Sequence, residues 1–478
     1  MKHILLATLA LALPSVALAG EAEDAATAQT LKAIDARYDD TAKVARQIWE
    51  WAEVGYKEER SSALLQERLK TAGFKVTAGV AGIPTAFVAE YGSGGPVIAI
   101  LAEYDALPGI NQDALPTRAQ LPGKGAAHAC GHNLFAAGSL GAALAVRDWL
   151  KATGTPGRVR LYGTPAEEGG SGKVYLVREG LFKDVDFSIH WHADDENSAA
   201  ARTSLANRSA KFRFTGVSAH AAGAPEKARS ALDGVEAMNM MANMMREHVP
   251  QQTRMHYVIT EGGSAPNVVP DFAEVFYYVR HPDADEVRRI WTRLEAAAQG
   301  AAQGTGTKVE WEIIHGNNAL LVNEPLAKMM DMKLRQVGGI SYTPEETRFA
   351  EGIRQSFDKP DLPLGSQSEI QPYDVTLGYG STDVGDVSYA TPTVGVRTAT
   401  WVPGTSSHSW QSAAASGMSI GFKGAQVAAK AMTLAAIELY TNPALRDEAT
   451  AAFKQALGPN YAYNSLLGDR KPPLDYRD

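Results

Sequence analysis

The sequence is poor in cysteine: its 478 residues include one, Cys130. A chain with a single thiol forms no internal disulfide, so its packed core must supply its stability. Hydrophobic residues make up 45% of the chain and charged residues 21%, an ordinary globular composition that argues against disorder as the main state. The length predicts roughly three domain-sized units, or one large domain with an insertion.

The sequence also lacks clustered positive charge. Its 46 Lys and Arg residues are outnumbered by 54 Asp and Glu residues, for a net charge of −8, and no long basic block occurs. A phosphate-binding face requires clustered cations, so nucleic acid is not a favoured partner. The charge does not favour an anionic membrane surface either. Internal repeats and low-complexity tracts are absent.

The apolar run at the start of the chain, Ile4 to Leu13, is too short to span a bilayer. Lys2 precedes this run, and Ala17-Leu18-Ala19 forms a small-residue cleavage site after it. These features predict a signal peptide at residues 1–19, cut before Gly20. We therefore expect export to a bacterial periplasm, without membrane insertion.

Acidic residues and histidines follow one predicted strand after another. The unbroken apolar run at 96–102 is typical of a buried parallel strand. In an open α/β sheet, ligands bind at the carboxyl ends of such strands, so we expect a site at that edge. The predicted strands, each with the polar residues that follow it, are 96–102 with Glu103 and Asp105, 158–162 with Glu167 and Glu168, and 185–189 with His190 and His192.

The pattern changes from about Ser204, where strands and helices alternate in a different order. Predicted strands at 210–214, 255–260, 272–280 and 307–314 enclose predicted helices at 226–248 and 283–302. This strand-helix-strand-strand-helix-strand order is the ferredoxin-like arrangement. We therefore predict a catalytic domain in two parts, 20–204 and 316–478, with an inserted α+β domain at 205–315. The methionines of the first inserted helix, Met238 to Met245, indicate core or interface packing.

Four short segments carry groups that can bind metals. A thiolate and an imidazole two residues apart, Cys130 and His132, can chelate one metal or bridge two. Adjacent carboxylates on an extended segment point different ways, so one can bind a metal while the other moves a proton during hydrolysis. The candidate ligands, which are Cys130, His132, Glu168, one histidine of His190-Trp191-His192, and His408, fit a site with two metals about 3.5–4 Å apart.

Two other metal or phosphate motifs are excluded. The sequence has no His-Glu-x-x-His helix, so it is not a zincin. The glycine-rich run at 169–172 is not a phosphate-binding loop, because Val174 stands where Ser or Thr is required.

Two other classes of protein are compatible with these residues. A thiol-dependent amidase would use Cys130 as nucleophile with His128 or His132 as base. It would leave Glu167, Glu168, His192 and His408 without a role, and it should survive a chelator. A non-catalytic binding protein on the same scaffold is the other alternative.

Seven segments resemble the aminoacylase/carboxypeptidase metallohydrolases, peptidase family M-twenty, especially the aminobenzoyl-glutamate and hippurate hydrolase branch. Their order and spacing span nearly all of the chain after the signal peptide. The segments are Ala102–Pro108, Cys130–Asn133, Glu167–Lys173, Trp191-His192, Ser218–Ala222, Pro266–Val269 and Ser381–Val387.

The resemblance implies a di-metal aminopeptidase-like α/β catalytic domain, with helices on both faces of a mixed sheet, and an inserted ferredoxin-like dimerisation (lid) domain. It implies that Glu167 is the general base, that His220 reaches the active site of a partner protomer, and that Asn267 binds substrate. Arg280 is a further candidate for a substrate carboxylate, with a surface salt bridge as the alternative. The metal ligands implied are Cys130, His132, Glu168, His192 and His408.

The expected reaction is metal-dependent hydrolysis of an N-acyl amino acid, with an aromatic acyl group as in aminobenzoyl-glutamate, or of a related dipeptide. Mixed N, O and S ligands permit two zinc, manganese or cobalt ions per protomer. A homodimer is expected, and the need for a second kind of subunit stays open. Two departures from the family pattern concern the metal site: Asn133 replaces Asp, and Glu103-Tyr104-Asp105 replaces His-x-Asp.

Overall fold

A computed structural model describes residues 13–199 and 201–477, with side chains described from residue 23 onward. Residues 1–12 of the predicted signal peptide lie outside it. Within the described ranges, no helix combines the length and apolar character needed to cross a bilayer. The helices are α1 (Leu13–Ala36), α2 (Tyr38–Trp51), α3 (Glu59–Thr71), α4 (His132–Thr153), α5 (Glu167–Gly170), α6 (Gly172–Arg178), α7 (Ala231–Met245), α8 (Ala284–Thr305), α9 (Glu324–Val337), α10 (Pro344–Arg354), α11 (Val384–Ser388), α12 (Trp410–Ser416), α13 (Ser419–Thr441) and α14 (Pro443–Leu457).

The strands form a six-stranded sheet, a four-stranded sheet and two short pairs. They are β1 (Lys75–Ala78), β2 (Phe87–Ser93), β3 (Val97–Ala102), β4 (Leu107–Pro108), β5 (Ala126–Ala127), β6 (Gly157–Gly163), β7 (Phe187–Asp194), β8 (Ala201–Thr203), β9 (Ala206–Thr215), β10 (Arg254–Glu261), β11 (Phe272–His281), β12 (Lys308–Asn317), β13 (Val375–Leu377) and β14 (Thr393–Ala399).

The six-stranded sheet is mixed and has the order β1-β2-β6-β3-β7-β14. Strands β6, β3, β7 and β14 run parallel, and β1 and β2 join antiparallel at one edge. Helices cover both faces: α4 and α13 pack on one side, and α6 and α11 on the other. This confirms the predicted α/β class of the catalytic domain.

Strand β3 explains the unbroken apolar run in the sequence. Successive side chains of a strand point to opposite faces of the sheet. Ile98 and Ile100 enter the core under α4, whereas Val97, Ala99 and Leu101 enter the core on the α6 side. Both faces are dry, so no position in the strand can be polar.

The four-stranded sheet has the order β10-β11-β9-β12, with every neighbouring pair antiparallel. Helices α7 and α8 cover one face and form a separate core with it. This is the predicted ferredoxin-like arrangement. The first helix begins at Ala231, later than predicted, because the Ser230 side chain accepts from the Asp233 N–H and caps it there.

The segment 458–477 follows α14 without forming a helix or strand. We name it the strap, because it joins the two cores. Leu466 is buried in the core of the four-stranded sheet, and its neighbour Leu467 is buried in the core on the α6 side of the six-stranded sheet. The strap thereby returns the chain to the region around α5.

Candidate metal centre and active site

A cleft of about 670 Å³ opens at the carboxyl ends of the parallel strands and reaches across to the four-stranded sheet. Asp105 follows β3, Glu167 and Glu168 follow β6, His192 lies near the end of β7, and His408 follows β14. Cys130 and His132 meet them at the start of α4. The strand-end placement expected from the sequence is therefore correct, although β7 continues through both histidines rather than ending before them.

The first group of possible ligands is Cys130, Glu168 and His408, with one donor atom of each within 4.8 Å of the others. His192 joins this group, with its Nε2 atom 3.7 Å from the Cys130 sulfur. The Nδ1–H of His192 donates to the carbonyl of Ala193 at 2.6 Å, which leaves Nε2 free for a metal. His190, by contrast, packs its ring against Gly395 on β14.

The second group is His132, Glu167 and Glu168, whose donor atoms also lie within 4.8 Å of one another. The Nδ1–H of His132 donates to Asp105 Oδ1 at 2.9 Å, so its Nε2 faces the cluster. Glu168 belongs to both groups. A carboxylate shared between two ligand sets is the arrangement that a two-metal site requires.

Unpaired atoms and charges in the cluster fit a bound cation. His132 Nε2 is buried without a hydrogen bond and lies 3.3 Å from Glu103 Oε2, whereas Glu168 Oε1 faces His408 Nε2 at 3.1 Å. Burial raises the pKa of the Cys130 thiol, but His132 and His192 lower it well below its ordinary value and favour the metal-binding thiolate. Hydrogen bonds to Cys130 and Glu168 raise the pKa of His408 to about 11, so the cluster attracts positive charge.

The backbone around these residues is held in unusual conformations. Ala166, directly before Glu167, has φ of +58°, and His408 has the same value. Non-glycine residues adopt this left-handed region only when neighbouring contacts hold them there. Glu58 supplies one such contact, since its Oε1 accepts from the Ala166 N–H at 2.8 Å. The His408 N–H donates to the Ala129 carbonyl at 3.0 Å, which ties the loop to Cys130.

Glu167 is suited to carrying a proton. Burial, together with Glu103, Glu168 and Asp383, raises the pKa of its carboxyl well above the ordinary value. A carboxylate with a raised pKa is a stronger base toward water, and once protonated it holds the proton until the leaving nitrogen accepts it. The nearby cation Lys173 is already engaged by Glu103 at 2.6 Å and by Asp383 at 2.7 Å.

The two bases considered for a thiol amidase have other partners. His128 donates from Nε2 to the Ile48 carbonyl at 3.1 Å, and burial lowers its pKa to about 3. His132 is bonded to Asp105. Asn133 has a structural contact as well: its Nδ2 donates to the carbonyls of Ala45 and Ser416, which a carboxylate could not do.

His220 and Asn267 lie outside the cleft on exposed loops of the inserted sheet. The Nδ1 atom of His220 accepts from the N–H groups of Ala222 and Gly223 at 3.2 and 3.0 Å. An Nδ1 atom that accepts hydrogen bonds selects the tautomer with its proton on Nε2, so Nε2 is the donor of this ring. Arg280 does line the cleft, and among the described residues no carboxylate forms an ion pair with it, so a surface salt bridge receives no support.

Sequence reasoning missed the residues that support the predicted ligands and those that line the far wall. Asp105 and Lys173 were inside recognised segments but received no role, because their partners His132 and Asp383 are distant in sequence. Asn207, Tyr278 and His315 reach the cleft from β9, β11 and β12. The register places Arg280 opposite Asn207, and Asn207 opposite Asn317, a pairing that no local pattern reveals.

Comparison with known proteins agrees with this geometry. The model for "Peptidase family M20/M25/M40" matches residues 99–358. The chain is 38% identical to a p-aminobenzoyl-glutamate hydrolase subunit of Escherichia coli, over 88% of this chain and 92% of that protein. It is 28% identical to the Xaa-Arg dipeptidase of Mus musculus, over 90% of this chain and 93% of that one.

Two solved structures share the fold. An aminobenzoyl-glutamate utilization protein from Klebsiella pneumoniae superposes with a TM-score of 0.59 at 16% identity, covering 85% of this chain and 97% of that one. A dinuclear metal binding peptidase from Bacillus subtilis gives a TM-score of 0.58 at 17% identity, covering 84% and 98%. Family match, near full-length relatives and a clustered N, O and S ligand set lead to one conclusion: the chain belongs to peptidase family M20/M25/M40 and is a metal-dependent amidohydrolase or peptidase.

Proposed function

We propose that the enzyme cleaves the amide bond of an N-acyl amino acid, with an aromatic acyl group such as aminobenzoyl, and releases the free amino acid. The observation that carries this proposal is the pair of ligand groups sharing Glu168 in a cleft that also holds Arg280. A guanidinium pairs bidentately with the carboxylate that every such leaving amino acid carries. The 38% identity to a p-aminobenzoyl-glutamate hydrolase chain supports the aromatic acyl group. A dipeptide substrate is the second candidate, supported by the Xaa-Arg dipeptidase relatives.

Cys130, His132, Glu168, His192 and His408 would hold two divalent ions, which we take to be zinc or manganese, with cobalt also compatible with these ligands. When bound, the metals would polarise the scissile carbonyl and lower the pKa of water.

The chain's own residues would move the proton. Glu167 takes a proton from the attacking water and delivers it to the leaving nitrogen, for which its raised pKa is suited. Asp105 and the Ala193 carbonyl keep the rings of His132 and His192 in position. Arg280 orients the substrate through its carboxylate.

We further propose that two copies pair through the inserted domain and that His220 acts in the partner's cleft. Strand β10 is an edge strand, and large apolar side chains are exposed on it and on α7. An exposed apolar edge strand is a template for pairing with a second chain. His220 carries its proton on Nε2, as needed to donate to a developing oxyanion. The exposed apolar residues are Met240, Met241, Met244, Tyr257, Val258 and Ile259.

We also propose that the protein is exported through the signal peptide at residues 1–19. Mass spectrometry of the secreted protein would locate the cleavage before Gly20.

A second kind of subunit belongs to the same proposal. The relatives from Escherichia coli include two different chains of p-aminobenzoyl-glutamate hydrolase. Besides the one already described, the protein is 26% identical to the other over 58% of its own length. A partner of that kind would be recruited to the exported enzyme.

The experiment that tests the proposed reaction is hydrolysis of aminobenzoyl-glutamate, hippurate, acyl-amino acids and Xaa-Arg dipeptides, with and without a chelator. We expect release of one amino acid that the chelator abolishes and added metal restores. Chelator-resistant release would favour the thiol amidase instead. No release from any substrate by the metal-loaded enzyme would contradict the proposed substrate class.

A further inference from the structure

The strap brings an arginine to the active-site cleft from the far end of the described chain. Arg477 lines the cleft together with Glu167 and Glu168. One of its terminal nitrogens donates to the Glu168 carbonyl at 2.6 Å. Its guanidinium stacks over the ring of Tyr476 at 4.6 Å. Arg477 therefore lies beside the residues that would perform the reaction.

The strap is firmly attached on its way to this point. Tyr175 donates to the Lys471 carbonyl at 3.2 Å, and Arg178 donates to the carbonyls of Gly468 and Arg470 at 2.8 and 2.7 Å. Tyr476 packs edge-on against Tyr56 and donates to the Glu168 carbonyl at 3.1 Å. These contacts fix the backbone that carries Arg477, so its position is an organised feature of the fold.

The four arginines that line the cleft differ in whether a carboxylate pairs with them. Arg397 is paired with Asp194 at 2.7 Å, and Arg202 lies 3.7 Å from Glu196. Among the described residues, no carboxylate pairs with Arg280 or Arg477. Each of these two has a buried Nε without a partner, and each stacks on a neighbouring tyrosine. As far as the structure describes the chain, the cleft therefore presents two guanidinium groups without a carboxylate partner, one from β11 and one from the strap.

We propose that Arg477 is a specificity-determining residue that binds a second carboxylate, carried by the side chain of the leaving amino acid. This inference rests on the proposed function, in which Arg280 binds the first carboxylate. Arg477 contacts Glu168, the residue next to Glu167. With the scissile amide at Glu167, the side-chain carboxylate of a leaving glutamate or aspartate can therefore reach Arg477. The substrate class is then an N-acyl acidic amino acid.

The test compares Arg477→Gln with the parent enzyme on aminobenzoyl-glutamate and on its neutral isostere aminobenzoyl-glutamine. Loss of a charged hydrogen-bond pair should lower kcat/KM for the glutamate substrate about 10- to 100-fold, mainly through KM. The glutamine substrate should change less than about 3-fold, within the scatter of one neutral hydrogen bond. Arg477→Lys should retain part of the preference for the glutamate substrate over the glutamine substrate, because lysine keeps the positive charge but lacks the guanidinium's paired N–H donors. Lys471→Gln removes a charge from an exposed site on the same strap and should leave the preference unchanged.

If kcat/KM fell equally for both substrates, the proposal would be overturned and Arg477 would have the role of supporting the Glu168 backbone. If kcat/KM changed for neither substrate, the proposal would also be overturned. Calorimetric binding of glutamate and glutamine to the metal-loaded protein gives a second readout that needs no turnover. We expect the parent to bind glutamate more tightly than glutamine. We expect Arg477→Gln to bind the two amino acids with equal affinity. If the parent hydrolyses none of the substrates but shows this binding difference, the proposed reaction fails and the subsite stands. Equal binding of the two amino acids by the parent would overturn the subsite.

Discussion

Asp105 fixes His132 and the Glu168 backbone with one buried carboxylate. Its Oδ1 accepts from His132 Nδ1–H at 2.9 Å, and its Oδ2 accepts from the Glu168 N–H at 2.9 Å. The strand end after β3 is thereby joined both to the start of α4 and to the segment after β6. A ligand histidine held by a carboxylate in this way has a fixed tautomer and ring orientation.

Asp105→Asn should weaken metal binding. The amide can accept from only one of the two N–H groups, so either His132 or the Glu168 backbone loses its partner. We expect metal affinity to fall about 10- to 100-fold, measured by chelator competition with metal analysis. Asp358→Asn, which changes an exposed carboxylate, is the control. Unchanged affinity in Asp105→Asn would show that the two hydrogen bonds do not organise the site.

Lys173→Met should destabilise the fold. The ammonium is fully buried between Glu103 and Asp383. Its removal leaves the buried Asp383 without a countercharge and leaves Glu103 with His132, whose Nε2 atom lies 3.3 Å away. Breaking a buried ion pair by removing one partner costs about 3–5 kcal/mol. Denaturant unfolding of the metal-free protein measures this loss. Lys328→Met, at an exposed pair with Glu324, should change stability by less than about 0.5 kcal/mol. A similar small change in Lys173→Met would contradict the prediction.

Glu58→Gln should flatten the dependence of stability on pH. Burial and the charge of Asp105 raise the pKa of Glu58 from 4.5 to about 8. The folded state therefore favours the protonated acid, so stability falls as the pH rises from about 4.5 to about 8, by at most about 1.4 kcal/mol per pH unit. Glutamine keeps an oxygen for the Ala166 N–H and does not titrate. Unfolding free energies of the parent and of Glu58→Gln, each measured at about pH 5 and about pH 8, give the slope of stability against pH for each protein. Equal slopes in the two proteins would refute the role assigned to Glu58.

The gathering of the candidate ligands at one place could be predicted, because several of them lie at or near strand ends and the carboxyl ends of parallel strands meet at one edge of the sheet. Cys130, Glu168 and His408 are adjacent in space for that reason. The supporting contacts could not be predicted in the same way. Lys173 meets Asp383 across 210 residues, and Arg477 meets Glu168 across 309. These pairings depend on how the sheets and the strap pack, and a local pattern of residues does not encode them.

The inserted domain illustrates the same distinction. Its strand and helix order follows from alternation and periodicity, and the ferredoxin-like prediction is confirmed. The predicted start of its first helix was wrong, because a serine cap decides that boundary. The sequence alone does not distinguish the exposed methionines of α7 from the buried ones. In the structure, Met240, Met241 and Met244 lie on the surface, whereas Met238 and Met245 lie in the core.

Mixing two inactive variants tests the role of His220 in a partner's cleft. His220→Ala and Glu167→Gln each remove one group from every active site of a homodimer. In a mixed dimer, the cleft of the His220→Ala protomer keeps Glu167 and receives His220 from its partner. We expect activity to return toward about one-quarter of the parent level, since random mixing forms half mixed dimers with one intact site each. Failure of the co-refolded or co-expressed mixture to recover activity, with mixed dimers shown to form, would place His220 outside the catalytic machinery.

The central claim is that Glu167 moves the proton in a reaction that depends on metals held by its neighbours. The most direct measurement is turnover and metal content of Glu167→Gln on the best substrate of the panel. The account predicts that the variant binds the same number of metal ions as the parent while kcat falls about 100- to 10,000-fold, the usual contribution of general acid–base catalysis. Parent-level turnover by the metal-loaded variant would contradict the account.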